Sequence, residues 1–388
     1  MRVRRLELVG FRSYEALELE LPPGPQVVVG ANAAGKTNLI EAFVLLARAT
    51  SHRTSVDAEL VRWSASFARL EAEVEHADAR GDDRLEVTLE RTGPTAARKR
   101  LRVNGVGRRA SGLADALRIV LFAPEEMLLV VGPPSLRRAV IDALATARSP
   151  AYGRALAVYG RALQQRNGLL RRIREGDAER GELPYWDRVI SAEGGSIVAE
   201  RLELLDALAR PLAAAHAEIA PGEDTLALRY ASNAPQREGE APGDALRRRL
   251  EETAEKELWN GATLVGPHRD DIVFELGGRA MAAVASRGQQ RTAILALKLA
   301  ELETLTAPDG EPPLLLLDDV FSELDPERRA HLVRRIRELP QAIVTTTTLD
   351  DLDPVLVAES TAWRVRPGRV ERIVATPQRV ARPERPAR

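Results

Sequence analysis

Apolar and charged residues alternate along two stretches near the start of the chain, which is the pattern of β-strands with one buried face. Residues 17–21 read Leu-Glu-Leu-Glu-Leu, and the same period of two recurs over residues 67–105. In the second stretch Asn104-Gly105 is a strong signal for a two-residue hairpin turn. The pattern predicts a β-hairpin over residues 3–21 and an antiparallel sheet over residues 67–105. The cluster Pro22–Pro25 is expected to end the hairpin before the next strand begins.

Four short apolar runs predict buried strands, because they lack the polar alternation of a half-exposed strand. These runs are Val27–Val29, Ile119–Phe122, Leu314–Leu317 and Ala342–Val344. A closing pair of short strands is expected near residues 362–374. The chain therefore contains the elements of a second sheet, with strands drawn from both of its ends.

The middle of the chain has a helical period instead. Leu, Ala and Ile recur at helical spacing over residues 151–175 and 186–218, among many Arg and Glu residues. Gly194-Gly195 is expected to interrupt the second helix, and a third helix is predicted over residues 244–258. These helices are too short for an extended coiled coil. The composition changes at about residues 150 and 260, which marks a mostly helical unit between them.

An octapeptide near the N-terminus matches the phosphate-binding pattern G-x-x-x-x-G-K-T. It follows a predicted strand and precedes an apolar stretch of helix length, which argues against a chance match. Backbone N–H groups of such a loop surround phosphate oxygens, and the helix directs the positive end of its dipole at them. Lys36 is expected to reach the β- and γ-phosphates, and the Thr37 hydroxyl to bind Mg²⁺. The predicted nucleotide site consists of Gly30, Ala31, Asn32, Ala33, Ala34, Gly35, Lys36, Thr37 and Asn38.

Two acidic residues follow the run of four leucines. Asp318 is expected to hold Mg²⁺ through its water shell, and Asp319 is placed to orient or activate the attacking water. A helix predicted over residues 291–305 follows Ser286, Gly288 and Gln289, which offer a hydroxyl and backbone N–H groups to an anion.

One ATP cannot use two such helix N-termini from the same side. The sequence therefore predicts an ATP-dependent homodimer in which the segment at Ser286 of one copy closes over the γ-phosphate held by the other. Lys36, Asp319 and Ser286 are the predicted catalytic residues, and the predicted metal ligands are Thr37 and Asp318.

Composition narrows the class of protein. The chain of 388 residues has no cysteine, which excludes disulfides, thiolate zinc sites and thiol nucleophiles. No run approaches 18 uninterrupted apolar residues, and the first residues lack a signal-peptide pattern, so a cytoplasmic protein without a membrane partner is expected. Because the formal net charge is −1, any surface for nucleic acid must be a local patch.

One such patch is predicted on the last hairpin of the antiparallel sheet. Its wet side is expected to carry Arg98, Lys99, Arg100, Arg102, Arg108 and Arg109. These residues fit either an ordinary solvated strand face or a surface for the DNA backbone. Two other basic pairs also allow two interpretations. His52 and Arg53 fit a solvated loop or a contact with nucleotide or partner, whereas Arg137-Arg138 fit structural ion pairs or a phosphate contact.

Together these motifs resemble the signature, Walker B and D-loop of ABC-type ATPases, and the whole chain resembles the RecF family of bacterial recombination mediators. The resemblance rests on six motifs that follow the family's order: Phe11-Arg12-Ser13-Tyr14, Gly30–Asn38, Ser51-His52-Arg53-Thr54, Gly266-Pro267-His268-Arg269-Asp270-Asp271, Ser286-Arg287-Gly288-Gln289-Gln290 and Asp318–Asp325. It implies an α/β fold, with an ABC-type P-loop ATPase head of a mixed core sheet plus an antiparallel β-subdomain. The head would comprise residues 1–150 and 262–375, the inserted helical lobe residues 151–261 and a flexible tail residues 376–388.

The resemblance also implies a function. It implies an ATP- and Mg²⁺-dependent homodimer that binds DNA near junctions of single and double strands. Such a dimer would work with RecO and RecR to place RecA on gapped DNA, and would be a weak, DNA-stimulated ATPase.

Three positions depart from the wider ABC pattern. Glu125 lies roughly where a metal-contacting glutamine is expected, and Thr346 or Thr347 occupies the switch position where many relatives have histidine. Asp319 is shorter than the usual glutamate. We therefore expect slow hydrolysis, suited to a timed clamp.

Three other functions are consistent with parts of the pattern. A transporter ATPase subunit would need a surface for a membrane partner, which the sequence does not indicate. An SMC- or Rad50-like protein would need hundreds of heptad residues between its Walker motifs. A scaffold that uses ATP only to dimerise would have the same motifs, but its Asp319 would not support hydrolysis.

Overall fold

The computed structural model describes residues 1–77, 81–306 and 310–373. Its strands, in chain order, are β1 (Arg2–Phe11), β2 (Tyr14–Glu20), β3 (Gly24–Val29), β4 (Phe67–Glu75), β5 (Asp83–Arg91), β6 (Ala97–Val103), β7 (Val106–Gly107), β8 (Ile119–Phe122), β9 (Leu226–Ala231), β10 (Asp271–Leu276), β11 (Arg279–Ala280), β12 (Leu314–Asp318), β13 (Gln341–Thr346), β14 (Thr361–Arg366) and β15 (Arg369–Ile373). Its helices are α1 (Lys36–Arg48), α2 (Ala110–Ala116), α3 (Pro134–Arg148), α4 (Pro150–Glu175), α5 (Leu183–Ile219), α6 (Pro242–Asn260), α7 (Met281–Val284), α8 (Arg287–Leu305), α9 (Pro326–Glu338) and α10 (Pro354–Glu359). The predicted tail, residues 376–388, lies outside the described residues.

The alternating segments form one antiparallel sheet, in the order β2-β1-β4-β5-β6-β7. Leucines of β1 and β2 pair in register, Leu6 with Leu19 and Leu8 with Leu17, so their side chains lie on one buried face. Asn104-Gly105 joins β6 to β7 with positive φ at both residues, as the hairpin signal predicted. The predicted hairpin and antiparallel sheet are confirmed.

The four apolar runs belong to a second sheet, in the order β15-β14-β3-β13-β12-β8. The strands from β14 to β8 pair in parallel, and β15 closes the sheet as the antiparallel partner of β14. Every residue of β12 is buried, because both faces of this sheet are covered. The hairpin ends at Glu20, just before Pro22–Pro25, as expected, but Gly24 and Pro25 already belong to β3. Proline is tolerated at the start of a strand.

The two long central helices are confirmed as α4 and α5, but the predicted interruption at Gly194-Gly195 is wrong. Helix α5 continues through both glycines because the start of α6 packs directly on them. A Cβ at Gly194 would lie 2.6 Å from Cδ2 of Leu246, and one at Gly195 would lie 2.6 Å from Cα of Gly243. The glycines therefore permit a close helix contact.

Two apolar cores lie on opposite faces of the parallel sheet. One lies between this sheet, α1 and the antiparallel sheet, and includes Leu314 and Leu316. The other includes Leu315 and Leu317, whose side chains point the opposite way, and joins the sheet to α3–α6, α8 and α9. Helix α8 therefore shares a core with the central helical segment. The predicted boundaries of head and helical lobe remain predictions.

Among residues 1–77, 81–306 and 310–373, no helix has both the length and the apolar character needed to cross a membrane.

Candidate nucleotide-binding site

The carboxyl ends of β3, β13 and β12 lie side by side, and the polar residues predicted for the site begin there. Val29 pairs with Thr346, and Thr345 pairs with Asp318. The carboxyl edge of a parallel sheet is where α/β folds hold their ligands. This edge brings the phosphate loop together with the two aspartates.

The phosphate loop forms a tight turn between β3 and α1. Ala33 and Gly35 have positive φ angles of 62° and 116°. The Ala33 angle is uncommon for a residue other than glycine, and such strain is often found where a backbone is shaped for a ligand. A Cβ at Gly30 would lie only 2.7 Å from the backbone oxygen of Val365, so this position needs glycine.

Lys36 is the first residue of α1, and its ammonium group lies over the loop. Its Nζ donates hydrogen bonds to the carbonyl oxygens of Gly30, at 2.7 Å, and Ala31, at 3.2 Å. Thr37 follows in the first turn of α1, where backbone N–H groups lack helical partners. This arrangement directs a cation and free N–H groups at the space where the sequence predicts phosphate.

The Phe11–Tyr14 motif holds the loop and its helix in place. Two guanidinium nitrogens of Arg12 donate to the carboxylate of Glu41, at 2.8 and 2.7 Å. The side-chain nitrogen of Asn38 donates to Oγ of Ser13 at 2.9 Å, and the Tyr14 hydroxyl donates to the carbonyl of Gly35. Although burial acts to raise the pKa of Glu41, hydrogen bonds from Arg12 and Ser51 and the charge of Arg12 lower it.

The loop after α1 folds back along that helix. Arg53 donates to Oδ1 of Asn38 at 3.0 Å, and Ser51 donates to Glu41 at 2.5 Å. Both ring nitrogens of His52 are shielded from solvent and, within the described residues, have no hydrogen-bond partner. Burial lowers the pKa of His52. Arg53 is thus in contact with a residue of the predicted nucleotide site, and His52 does not extend into solvent.

Asp318 provides a buried carboxylate at the end of β12, and its Oδ1 accepts a 2.6 Å hydrogen bond from Oγ1 of Thr345. The Asp318 carboxylate and the Thr37 hydroxyl would offer an all-oxygen donor set, which suits Mg²⁺. In residues 1–77, 81–306 and 310–373, no group of three or more His, Cys, Asp or Glu side chains could hold a metal. Phosphate oxygens and water would therefore complete the shell, as Mg²⁺ usually requires, so these residues fit that ion.

Asp319 adopts a left-handed conformation, with φ of 54°. Its backbone N–H is 3.0 Å from Oγ1 of Thr345, so one threonine hydroxyl contacts both aspartates. Burial and the charge of Asp318 raise the pKa of Asp319, while the charge of Lys36 acts to lower it. Thr345 was not predicted as a site residue, because its place beside Asp318 follows from the pairing of β13 with β12 and not from the sequence alone.

Ser286 is the N-cap of α8, which starts four residues earlier than the predicted helix at residue 291. Its Oγ accepts from the backbone N–H of Gln289 at 3.2 Å, and Gln289 Oε1 accepts from the Ser286 N–H at 3.0 Å. Ser286 is exposed. Within the described ranges, no hydrogen bond or ion pair connects this turn with the phosphate loop of the same chain.

The structure also shows the surroundings of the positions that depart from the ABC pattern. Glu125 is exposed, whereas its neighbour Glu126 forms a buried 2.7 Å ion pair with Lys298 of α8. The Thr346 hydroxyl donates to the carbonyl of Thr348. Thr347 lines a cleft of about 760 Å³ that opens beside Gly30 and Ala31 of the loop.

The basic patch on β6 differs from the prediction at one residue. Arg98, Arg100 and Arg102 are exposed, but Lys99 lies on the opposite face of the strand. Its Nζ donates to the carbonyl of Ala49 at 2.6 Å and pairs with Asp57 at 2.7 Å. Placing Lys99 on the wet side was wrong, because successive strand residues point to opposite faces.

The remaining arginines differ in how far they are neutralised. Arg102 pairs with Glu86 at 3.2 Å. Arg98, Arg100, Arg108 and Arg109 are exposed, and in the described part of the chain their side chains form no ion pair or hydrogen bond. These four free cations are the part of the predicted patch that remains available to an anionic ligand.

The Gly266–Asp271 motif makes its contacts with the central helices. Arg201 of α5 is buried, pairs with Asp142 at 2.7 Å and donates to the carbonyl of Pro267 at 2.9 Å. His268 Nδ1 lies 2.7 Å from the Tyr159 hydroxyl, and burial lowers the pKa of His268 to about 4. The motif therefore anchors the helical segment, a role that its sequence did not reveal.

The arginine pair of α3 supports the same junction. Arg137 pairs with Asp271 at 2.7 Å, and Arg138 donates to the carbonyl of Asp270 at 2.7 Å. The structural interpretation of Arg137-Arg138 is therefore favoured over a phosphate contact.

Comparison with known proteins identifies similar chains over almost the whole length. The model of the RecF/RecN/SMC N terminal domain matches residues 2–356. The DNA replication and repair protein RecF of Roseiflexus castenholzii is 40% identical over 395 residues, covering 95% of this chain and 99% of that protein. The protein of the same name from Chloroflexus aurantiacus is 42% identical over 397 residues, with the same coverage.

Solved structures give the same result. The recombination mediator protein RecF-ATP of the RecFOR pathway matches with a TM-score of 0.85 and 29% identity, covering 96% of this chain and 97% of that one. An Smc head bound to the C-terminal winged-helix domain of ScpA matches with a TM-score of 0.53 and 17% identity, over 96% of this chain and 98% of that one. The second likeness shows a shared head fold alone.

Proposed function

The chain belongs to the RecF family, and from this membership we propose that it is an ATP-dependent DNA-binding homodimer in recombinational repair. The family carries the RecF/RecN/SMC N-terminal domain, and the similar proteins named above are DNA replication and repair proteins. The match to RecF-ATP over nearly the full length supports ATP as the nucleotide.

The observation that carries the proposal is the convergence of Lys36 with Asp318 and Asp319 at one edge of the parallel sheet. The charge of Lys36 acts on the pKa of Asp319, and Thr345 contacts both aspartates. A nucleotide whose phosphates occupy the loop would therefore have its γ-phosphate beside two carboxylates.

The second half of the site would come from a second copy. Ser286 is exposed at the start of α8, Gly288 and Gln289 follow it in the first turn, and this turn shares no hydrogen bond with the loop within the described residues. An exposed anion-binding turn is suited to the γ-phosphate held by a partner. Two copies related by a two-fold axis would then enclose two ATP molecules.

Hydrolysis would use residues of both copies. Bound Mg²⁺ would neutralise phosphate charge, with Thr37 and Asp318 as the protein's contribution. Asp319 would orient the attacking water and accept its proton, and Lys36 with Ser286 of the other copy would stabilise charge on the γ-phosphate. The short Asp319 side chain, and threonine in place of the switch histidine, favour slow turnover. ATP would then close the dimer, and hydrolysis would release it.

The proposed ligand is DNA that carries a gap, with a junction of double and single strands. The free cations Arg98, Arg100, Arg108 and Arg109 are a candidate surface for the DNA backbone. RecO, RecR and RecA are the proposed protein partners, and DNA is proposed to stimulate the ATPase. We propose that the protein acts in the cytoplasm.

Binding of the full chain to a labelled gapped duplex, followed by fluorescence anisotropy, tests this function. We expect tight binding with ATP and weak binding with ADP or without nucleotide. Lys36→Met should bind weakly under all conditions, whereas Asp319→Asn should bind with ATP and release more slowly. Equal DNA affinity with and without ATP would contradict the proposal. If Asp319→Asn and the parent release equal phosphate and both dimerise with ATP, the chain is a scaffold and not an ATPase.

A further inference from the structure

Two large aromatic side chains are exposed at the start of β4, one in the loop that precedes the strand and one on its first residue. Trp63 is 91% exposed, and Phe67, the first residue of β4, is 44% exposed. Large aromatic side chains are usually well buried, because burying their surface is favourable. These two side chains, four residues apart in sequence, offer exposed aromatic surface to a ligand.

The strand register places Phe67 and the arginines on one face of the sheet. Phe67 lies opposite Glu90 of β5, and Glu90 lies opposite Arg98 of β6. Residues directly opposite each other point to the same face. Strands are about 4.8 Å apart, so Phe67 and Arg98 are separated by about 10 Å across the sheet.

The free charges lie along an open edge. Among the described residues, β7 pairs only with Arg102 and Val103, so the start of β6 at Ala97–Arg100 has no further strand neighbour there. Arg98 and Arg100 are two residues apart on the same face, about 7 Å along the strand. That spacing allows them to contact successive phosphates of an extended chain.

Ion pairs neutralise the rest of this face. Arg69 and Arg102 both pair with Glu86, and Arg84 pairs with Glu71. Glu90 is exposed between Phe67 and Arg98 and would repel a phosphate. The face therefore favours phosphates at the β6 edge and uncharged, flat groups on the aromatic side.

We propose that this outer face binds the single-stranded part of the DNA, with phosphates on Arg98 and Arg100 and unpaired bases stacked on Trp63 and Phe67. The inference rests on the proposed DNA-binding function and specifies which part of a gapped substrate this surface recognises. Aromatic side chains stack on bases that are free of a duplex, whereas bases within a duplex already stack on each other.

Anisotropy titrations of the full chain with ATP test the proposal, using an oligodeoxythymidylate and a blunt duplex of the same length. Because each lost stacking contact weakens the hold on an unpaired base, Trp63→Ala with Phe67→Ala should weaken binding to the oligonucleotide about tenfold or more. Duplex affinity should change less than about twofold, and Trp63→Phe should restore part of the loss. Trp259→Ala is the matched control, because Trp259 is 80% exposed on α6.

Salt dependence separates the two kinds of contact. Arg98→Ala with Arg100→Ala should lower the salt slope of oligonucleotide binding by about 1.4, while the aromatic variant should leave that slope unchanged. Glu90→Gln should strengthen binding.

Three results would overturn the inference: unchanged oligonucleotide affinity in the aromatic variant, equal losses for oligonucleotide and duplex, or loss of ATP-driven dimerisation in that variant. The last result would assign Trp63 to the nucleotide or to the interface between copies. If the parent chain itself binds neither DNA, the proposed function fails instead.

Discussion

Arg12 donates two hydrogen bonds, of 2.7 and 2.8 Å, to the fully buried carboxylate of Glu41. The pair connects the turn of the first hairpin with the second turn of the helix that follows the phosphate loop. Ser51 and Arg53 reach the same carboxylate from the loop beyond that helix. Three segments that surround the nucleotide site thus depend on one buried charge.

Glu41→Gln should destabilise this arrangement while keeping the side-chain volume. Removing one partner of a buried ion pair costs about 3–5 kcal/mol, so the free energy of unfolding should fall by about 3 kcal/mol and ATP affinity should decrease. Denaturant unfolding and nucleotide titration measure the two effects. Glu15→Gln is the control. Glu15 is 86% exposed and forms a long ion pair of 3.8 Å with Arg62, so losing its charge should have little effect on stability. Equal stabilities of the two variants would contradict this role of Glu41.

Thr345→Val should slow hydrolysis more than it weakens ATP binding. The change keeps the shape of the side chain but removes the hydroxyl that donates to Asp318 and contacts the Asp319 N–H. Loss of hydrogen bonds to a buried charged group costs about 1.5–3 kcal/mol, which corresponds to at least tenfold slower phosphate release. Thr345→Ser should retain most of the rate. A Val variant with the parental rate would show that Thr345 does not position the aspartates.

Gly195→Ala should destabilise the chain, although alanine is the better helix former. Its Cβ would lie 2.6 Å from the backbone of Gly243, so the contact between α5 and α6 would have to open, at about 1–3 kcal/mol. Gly168→Ala in α4 has open space around the new methyl group and should stabilise by about 0.5–1 kcal/mol. Thermal unfolding of both variants tests the contrast, and a stabilised Gly195→Ala would refute the close packing.

Acidification should destabilise the junction around His268. Burial lowers its pKa to about 4 in the folded chain from an ordinary value of 6.5. The unfolded chain therefore binds more protons between these values, and the free energy of unfolding should fall as pH decreases from 6.5 towards 4. Arg138, Arg166 and Arg269 act in the same direction. His268→Gln should show a shallower decrease between pH 6.5 and 5, and identical slopes would contradict this account.

The fold could be predicted where local patterns decide it. The leucines of β12 and the alternation in β2 indicated their strands, and the loop from Gly30 to Thr37 indicated its strand-loop-helix context. The predicted helix break at Gly194 was wrong, because glycine is needed there for a close contact with a helix about fifty residues later in the chain.

Site residues whose roles depend on distant partners could not be read from their neighbours in sequence. Arg201 is such a case, because its partners Asp142 and Pro267 lie 59 and 66 residues away. Lys99 is different, since the alternation of β6 already contained the information that it faces inward. The sequence indicated Asp318 and Asp319, but the contact of Thr345 with both of them is visible only from the pairing of β12 with β13.

The central claim is that each ATP lies between the phosphate loop of one copy and the Ser286 turn of another. Ser286→Arg should bind ATP as a monomer but not dimerise, and Lys36→Met should lose both properties. Mixed together, the two variants still offer one complete site, made of the loop of the Ser286→Arg chain and the turn of the Lys36→Met chain.

Sedimentation velocity of the two variants with ATP, separately and as an equimolar mixture, is the most direct test. We predict monomers for each variant alone and dimers in the mixture. A mixture that stays monomeric while the parent chain dimerises would contradict the shared site, as would equal losses of ATP affinity in the two variants.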